Sequence, residues 1–394
     1  MNNKKSIIVT AVVSVILTSA FFLTPAGNGV RSLTAFLTGD SSFAAKLDKM
    51  STVMDKYYIN NYDISKMEDA ALSAYAAEAD DPYTAYINKT NYSALLESMG
   101  GDYEGIGVEV YIDGDYITIL NVFENTPAKR AGIRSGDKIV AVEGLKCDAS
   151  NYQEAINKIK GVGAPSDDKD VVVTILRGEE KIDLTLIREA VSVDTVFSKV
   201  MAPSVGYIRI SDFGEKTYLE FVDHYNRLKS KNIRSLVIDL RNNPGGMLTT
   251  VVSIADAILP EGEILVIKEK DGSETPYMSD ANCIDLPISV LINGNSASAS
   301  EVLAGAIRDH NYGTLVGTKS YGKGVVQSLM EFSDGSAFKF TSAKYYTPSG
   351  ECIDGVGISP DIEVDLSKEA AQKSLGQLSI QEDDQLRTAV QVLN

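Results

Sequence analysis

Three alternating serines, Ser296, Ser298 and Ser300, stand ahead of Lys323, which lies between two glycines and has Gln327 four residues further on. A serine hydroxyl attacks a carbonyl only when a base takes its proton. The chain holds just two histidines, His224 and His310, which leaves lysine a serious candidate for that base. An unperturbed lysine titrates at about 10.4, and bringing it to about 7 to 8 costs about 4 kcal/mol, which burial can impose. A neutral lysine then accepts the serine proton. Glycines on both sides let backbone come close. Gln327 can hold the amine by hydrogen bonding, and in a strand Lys323, Val325 and Gln327 would share one face.

The elements around these residues must bring them together. The apolar run from Pro287 to Gly294 reads as a buried strand entering a turn. From Glu301 the positions Val302, Leu303, Ala306 and Ile307 recur at helical spacing. One serine therefore sits at or just before a helix N-terminus, where backbone amides favour developing negative charge. The run Ser298-Ala-Ser-Glu301 also fits a capping box, a competing reading in which the serine only caps the helix. A second buried strand, Ser235–Leu240, ends in Arg241-Asn-Asn-Pro-Gly-Gly246, and paired glycines at the carboxyl end of such a strand can expose an amide to an oxyanion. His310 is expected roughly 13 Å along the helix from Ser298, too far for a hydrogen bond. Asp309, eleven residues after Ser298 (309 − 298), is read as capping the helix end or pairing with Arg308 or Lys319, with an acid that tunes the site as the competing reading. No Gly-x-Ser-x-Gly elbow surrounds Ser298, which disfavours a Ser-His-Asp esterase.

A 44% apolar fraction over 394 residues suffices for two or three domains with a core. The formal charge of −17 disfavours a nucleic-acid partner, since phosphate binding needs clustered Lys and Arg. Cys147, Cys283 and Cys352 have no Cys-x-x-Cys arrangement, so no metal is expected and core cysteines are. Lys4 and Lys5 precede an uncharged apolar run from Ser6 to Leu23, which predicts a retained membrane anchor over a cleaved signal. The positive flank places the remainder of the chain outside the cytoplasm. Residues 26–100 show helical periodicity from Phe43, broken by Asp81-Pro-Tyr-Thr-Ala-Tyr86.

From Tyr103 the pattern turns to strands, with a hairpin at Asp113-Gly114-Asp115, a helix in Asn151–Val162 and a strand pair in Asp170–Ile187. In Gly105-Ile106-Gly107-Val108 the glycines let amides converge on a terminal carboxylate. After Ala190 strands and helices alternate as in an α/β unit. Glu382–Leu393 reads as an amphipathic helix that packs on the core or joins a second copy in a homodimer.

The serine cluster, the glycine-flanked lysine with its glutamine, Asp81-Pro-Tyr-Thr, Asn125-Thr-Pro-Ala-Lys-Arg-Ala-Gly132 and Arg241–Gly246 together resemble the carboxy-terminal processing peptidases. The resemblance implies an α/β crotonase/ClpP-like serine peptidase core with an inserted PDZ domain and a helical N-terminal segment. The expected division is 1–25 anchor, 26–100 helical, 101–190 PDZ and 191–394 peptidase core. It also implies Ser298 as nucleophile, Lys323 as base, Gln327 as its orienting partner, and oxyanion donors from Ala299 and either Gly245 or Gly246. No cofactor is implied, and the partners are protein or peptide substrates with free C-termini. Arg177, ending the strand before Gly178, is a candidate charge for reporting an occupied carboxylate loop, with plain solvation as the competing reading. A PDZ-bearing scaffold with an inactive core is the alternative, disfavoured by the intact Ser298, Lys323 and Gln327 set.

Overall fold

The structure, a computed structural model, describes residues 42–393 apart from 101, 124, 163, 166, 193, 202–203 and 374. The expected anchor therefore lies outside the described residues, among which no helix is long and apolar enough to cross a membrane. Two compact units divide between Tyr75 and Ala76. The first holds α1 (Phe43–Tyr57) and most of α2 (Ile64–Ala77), with Phe43 stacked on Tyr75 at 5.8 Å between ring centroids.

The second unit begins with β1 (Ala85–Ile87) and α3 (Lys89–Gly100). Next comes β2 (Asp102–Gly105), which pairs with β9 (Glu189–Ser192), so the chain enters and leaves an inserted module through one two-stranded ribbon. That module contains β3 (Val108–Asp113), β4 (Tyr116–Val122), α4 (Pro127–Arg130), β5 (Lys138–Val142), β6 (Leu145–Lys146), α5 (Tyr152–Lys160), β7 (Asp170–Arg177) and β8 (Glu180–Ile187). Its sheet runs β3-β4-β5-β7-β8, with β6 on β5. Alternation in β7 buries Val171, Val173 and Ile175 against Ala155 and Ile159 of α5, a core separate from the rest.

The remaining chain forms β10 (Val196–Val200), β11 (Val205–Ile210), α6 (Thr217–Lys229), β12 (Ser235–Asp239), α7 (Leu248–Ile258), β13 (Gly262–Glu269), β14 (Glu274–Ser279), β15 (Ile288–Ile292), α8 (Ala299–Asp309), β16 (Gly313–Gly317), β17 (Val325–Glu331), β18 (Ala337–Tyr346), β19 (Ile362–Glu363) and α9 (Asp384–Gln391). One sheet runs β10-β11-β12-β15-β16-β19, parallel from β11 onward. Both of its faces are covered, which is why β12 and β15 read as unbroken apolar runs. Ile208, Ile238, Val290 and Ile292 join the cluster built with α7 and α8, while Tyr207, Val237, Leu291 and Val316 pack on Leu386, Ala389 and Val390 of α9. The C-terminal helix thus docks on its own core, which removes the reason it offered for a homodimer.

A second sheet runs β1-β18-β13-β14, with β17 also on β18. The helical expectation for 26–100 did not include β1, whose pairing with β18 carries the Asp81 turn into this sheet.

Candidate active site

Each of the three serines has a distinct setting. Ser296 and Ser300 are buried and used as ties: Ser296 Oγ donates to the Leu240 carbonyl at 2.8 Å, and Ser300 Oγ to the Asn243 carbonyl at 2.9 Å. Ser298 alone is half-exposed, and its backbone sits at φ 54°. A side-chain-bearing residue held in that region signals a constrained, functional turn. It is the N-cap of α8, so the capping reading also holds: its amide donates to Glu301 Oε2 at 2.9 Å. The two readings are compatible because the glutamate secures the backbone of the turn.

Glu301 does more than cap. Fully buried, it receives the Ser298 amide and the Lys323 amide (2.8 Å) on one oxygen, and Ser320 Oγ (2.5 Å) and the Gly322 amide (2.7 Å) on the other. Four donors converging on two oxygens require an acceptor-only carboxylate. One side chain thereby ties the serine turn to the lysine loop. The Tyr345 hydroxyl reinforces the tie, donating within reach of the Ser298 carbonyl at 3.0 Å and of the Lys323 carbonyl. The sequence offered only the capping-box signal for Glu301 and none for Tyr345.

Lys323 lies in the loop just before β17, not in the strand as expected for a shared face. Its flanking glycines are needed: a Cβ on Gly324 would stand 2.4 Å from the Asp354 amide nitrogen. Burial pushes the Lys323 amine below its ordinary range, aided by Lys339 and opposed by Asp81 and Glu301. The Tyr83 ring lies 4.7 Å from Nζ. A register shift between Val326 and Gln327 re-aims Gln327 within β17. Its Nε2 donates to Thr341 Oγ1 at 2.8 Å, which in turn donates to Asp81 Oδ2 at 2.6 Å. Gln327 Oε1 is buried without a partner, an acceptor open to an N–H. Asp81, read from sequence as part of a turn, also accepts the Thr84 hydroxyl at 2.6 Å and the Tyr83 amide at 3.0 Å. The Asp81–Thr84 turn therefore supports the lysine side of the site.

The Arg241–Gly246 loop faces the serine turn. A Cβ on Gly245 would come within 2.8 Å of Ser298 Cβ, so only glycine allows the approach. Asn243 Oδ1 accepts the Gly245 amide at 2.8 Å, while the Asn243 carbonyl accepts the Ala297 amide at 3.0 Å. Ala299, as the first residue of α8, has an amide with no intrahelical acceptor. Arg241 points away from the site. Buried, it pairs with Asp239 Oδ2 at 2.6 Å and Asp383 Oδ1 at 2.9 Å, joining the loop to α9. Asp309 pairs with Arg308 at 2.8 Å and accepts the Ser349 amide at 2.9 Å, a structural use. His310 Nε2 lies 2.8 Å from the Glu263 carbonyl.

In the inserted module, Ile106, Gly107 and Val108 line a 570 Å³ groove with Tyr152, Ile156 and Ile159 of α5. Arg177 is absent from that lining. Its guanidinium donates to Asp137 at 2.8 and 2.7 Å and to the Gly132 carbonyl at 2.8 Å. It is not merely solvated: it fastens the 132–137 turn.

A serine-bearing strand-to-helix turn, a partly buried lysine and a PDZ-like groove in one chain define a class, the serine peptidases with an inserted peptide-binding module. The profile of peptidase family S41 matches residues 204–364, and that of the PDZ domain residues 105–187. A "Probable CtpA-like serine protease" of Staphylococcus aureus (strain COL) is 34% identical over 368 residues, spanning 92% of this chain and 71% of the relative. A carboxy-terminal-processing protease of Bartonella bacilliformis is 34% identical over 319 residues, spanning 78% and 72%. Among solved structures, a photosystem II D1 C-terminal processing protease superposes with a TM-score of 0.50 at 30% identity, covering 83% of this chain and 87% of that one. An S41 protease from Bacteroides fragilis shares the fold at a TM-score of 0.55 and 15% identity, covering 87% and 95%. The chain belongs to the carboxy-terminal processing peptidase family and is a PDZ-containing serine-type peptidase.

Proposed function

We propose that the enzyme cleaves extracytoplasmic proteins near their carboxyl ends by a Ser298/Lys323 dyad. The neutral Lys323 amine takes the Ser298 proton as Oγ attacks the scissile carbonyl, and the resulting ammonium returns it to the leaving amine. Water then hydrolyses the acyl-enzyme, with Lys323 again the base. Gln327 Oε1 is the acceptor that orients the amine. Ala299 and Gly246 amides receive the oxyanion, because the Gly245 amide is already given to Asn243. The PDZ groove captures a free C-terminus at Ile106–Val108, with Gly105 in the β2/β9 ribbon just before it, and the apolar run 6–23 anchors the protein with its catalytic part outside the cytoplasm.

The observation that carries this reading is the Glu301 carboxylate, which holds the backbone amides of Ser298 and Lys323 on one oxygen. The test is digestion of an unfolded protein by the parent chain, by Ser298→Ala and by Lys323→Arg. Both variants should lose cleavage, the second because guanidinium does not release its proton near neutral pH. Full activity of Lys323→Arg would sink the base assignment.

A further inference from the structure

A PDZ groove is ordinarily bounded by one strand and one helix of the module itself. Here β3 and α5 form those two walls, and the peptidase core adds another. Phe197 of β10, Arg209 of β11 and Ser211 just beyond it line the same 570 Å³ cavity as the Ile106–Val108 loop. Arg209 stands opposite Phe197 in the β10/β11 register. Its neighbours Ile208 and Ile210 are buried in the core, which holds the strand and so the arginine in place.

Arg209 is only partly served in the resting molecule: Asp239 stands in register with it on β12, but that carboxylate is taken by Arg241 and Tyr207. Arg209 Nε is shut off from water without an acceptor, and the guanidinium has no ion pair among the described residues. By contrast Arg130, Arg177, Arg188, Arg241 and Arg308 each have an acceptor. Leaving a buried donor unmade is costly, and such groups persist where function needs them. The cavity's other charges are Lys160, Glu109 and Asp194, and neither carboxylate pairs with Arg209. An occupant that brings a carboxylate of its own would satisfy the guanidinium.

We propose that Arg209 is the peptidase core's own contact with the bound substrate tail, accepting a carboxylate at or near the substrate's C-terminus so that module and core read one ligand together. The inference rests on the reading of the groove as the peptide site. It assigns to Arg209 the coupling that sequence had suggested for Arg177. Because the carboxylate would be held by elements of both domains at once, an occupied groove fixes their mutual position, and a ligand can shift that equilibrium only through such differential contact.

The test uses the full chain carrying Ser298→Ala, so that labelled decapeptides bind without being cut, and reads their fluorescence anisotropy. Three probes are compared: an apolar-ended free acid, its amide, and an amide with aspartate next to last. Arg209→Met, which keeps most of the apolar stem, should weaken the free acid about tenfold or more and leave the plain amide unchanged, as expected for a lost charge-assisted contact. A matching loss for the aspartate-bearing amide alone would place the carboxylate on a side chain; a loss for the free acid alone would place it at the terminus. Arg209→Lys should recover part of the affinity, which a merely structural arginine would not show. Binding of every probe within twofold of the parent in Arg209→Met overturns the proposal while the groove reading survives. Ile159→Glu tells the two apart: if it too leaves binding unchanged, the groove reading falls and this inference with it.

Discussion

Glu301→Gln removes one oxygen's acceptor capacity from the centre of the site. The carboxylate receives four donors, two on each oxygen. The amide keeps one carbonyl oxygen, so its NH2 must face two of them: either the Ser298 and Lys323 amides or Ser320 Oγ and the Gly322 amide. Two charge-assisted hydrogen bonds are lost at about 1.5–3 kcal/mol each, or about 3–6 kcal/mol together. For a core of this size that lowers Tm by about 6–24 °C. If the loops relax around the amide, the proposed Ser298/Lys323 dyad is displaced and the cost appears in turnover instead, since a shift of about 1 Å in a reacting pair can cost about a hundredfold. Thermal unfolding and kcat/KM on an unfolded protein substrate, measured on the same preparation, capture both outcomes. A variant within about 2 °C and about twofold of the parent in both readouts would refute the claim that Glu301 joins the two loops.

Three further outcomes are expected. Asp81→Asn removes a charge that favours the Lys323 ammonium, so the acid limb of the kcat/KM profile should move to lower pH; an unmoved limb with unchanged activity would separate Asp81 from the lysine. Arg241→Met leaves Asp239 and Asp383 buried and unpaired, costing about 3–5 kcal/mol and exposing α9 to limited proteolysis; an intact C-terminus under protease would count against the tie. Burial pushes the Asp212 carboxyl from its ordinary 3.8 up to about 6, so its ionised form destabilises the fold above that pH and the penalty vanishes as pH falls towards 3.8. Asp212→Asn should therefore stabilise the protein at pH 7.5 by about 1–3 kcal/mol, after allowance for partial exposure, and by much less near pH 4; equal Tm gains at both pH values would contradict it.

Local pattern determined much of this protein. The strand at Ile288–Ile292, the helix after Ser298 and the alternating strands of the inserted module follow from apolar periodicity, which is a property of adjacent residues. The residues expected to do chemistry were legible too, because a glycine-flanked lysine and a serine at a helix start are local arrangements. What sequence left open depended on partners distant in the chain. Only packing shows that Ser298, among three serines, stays accessible while Leu240 and Asn243 absorb the hydroxyls of the other two. The Asp81 turn looked like a helix terminator until β1 paired with β18 and delivered its carboxylate to Thr341 beside Gln327. Arg177 and Arg209 each end or nearly end a strand, and nothing in their neighbours distinguishes them. The difference lies in whether a carboxylate from elsewhere arrives: Asp137 folds back onto Arg177, whereas β11 holds Arg209 at a groove where its Nε has no acceptor among the described residues. A charge acquires its role from whatever the fold places within a few ångströms of it, and that proximity is set by tertiary packing.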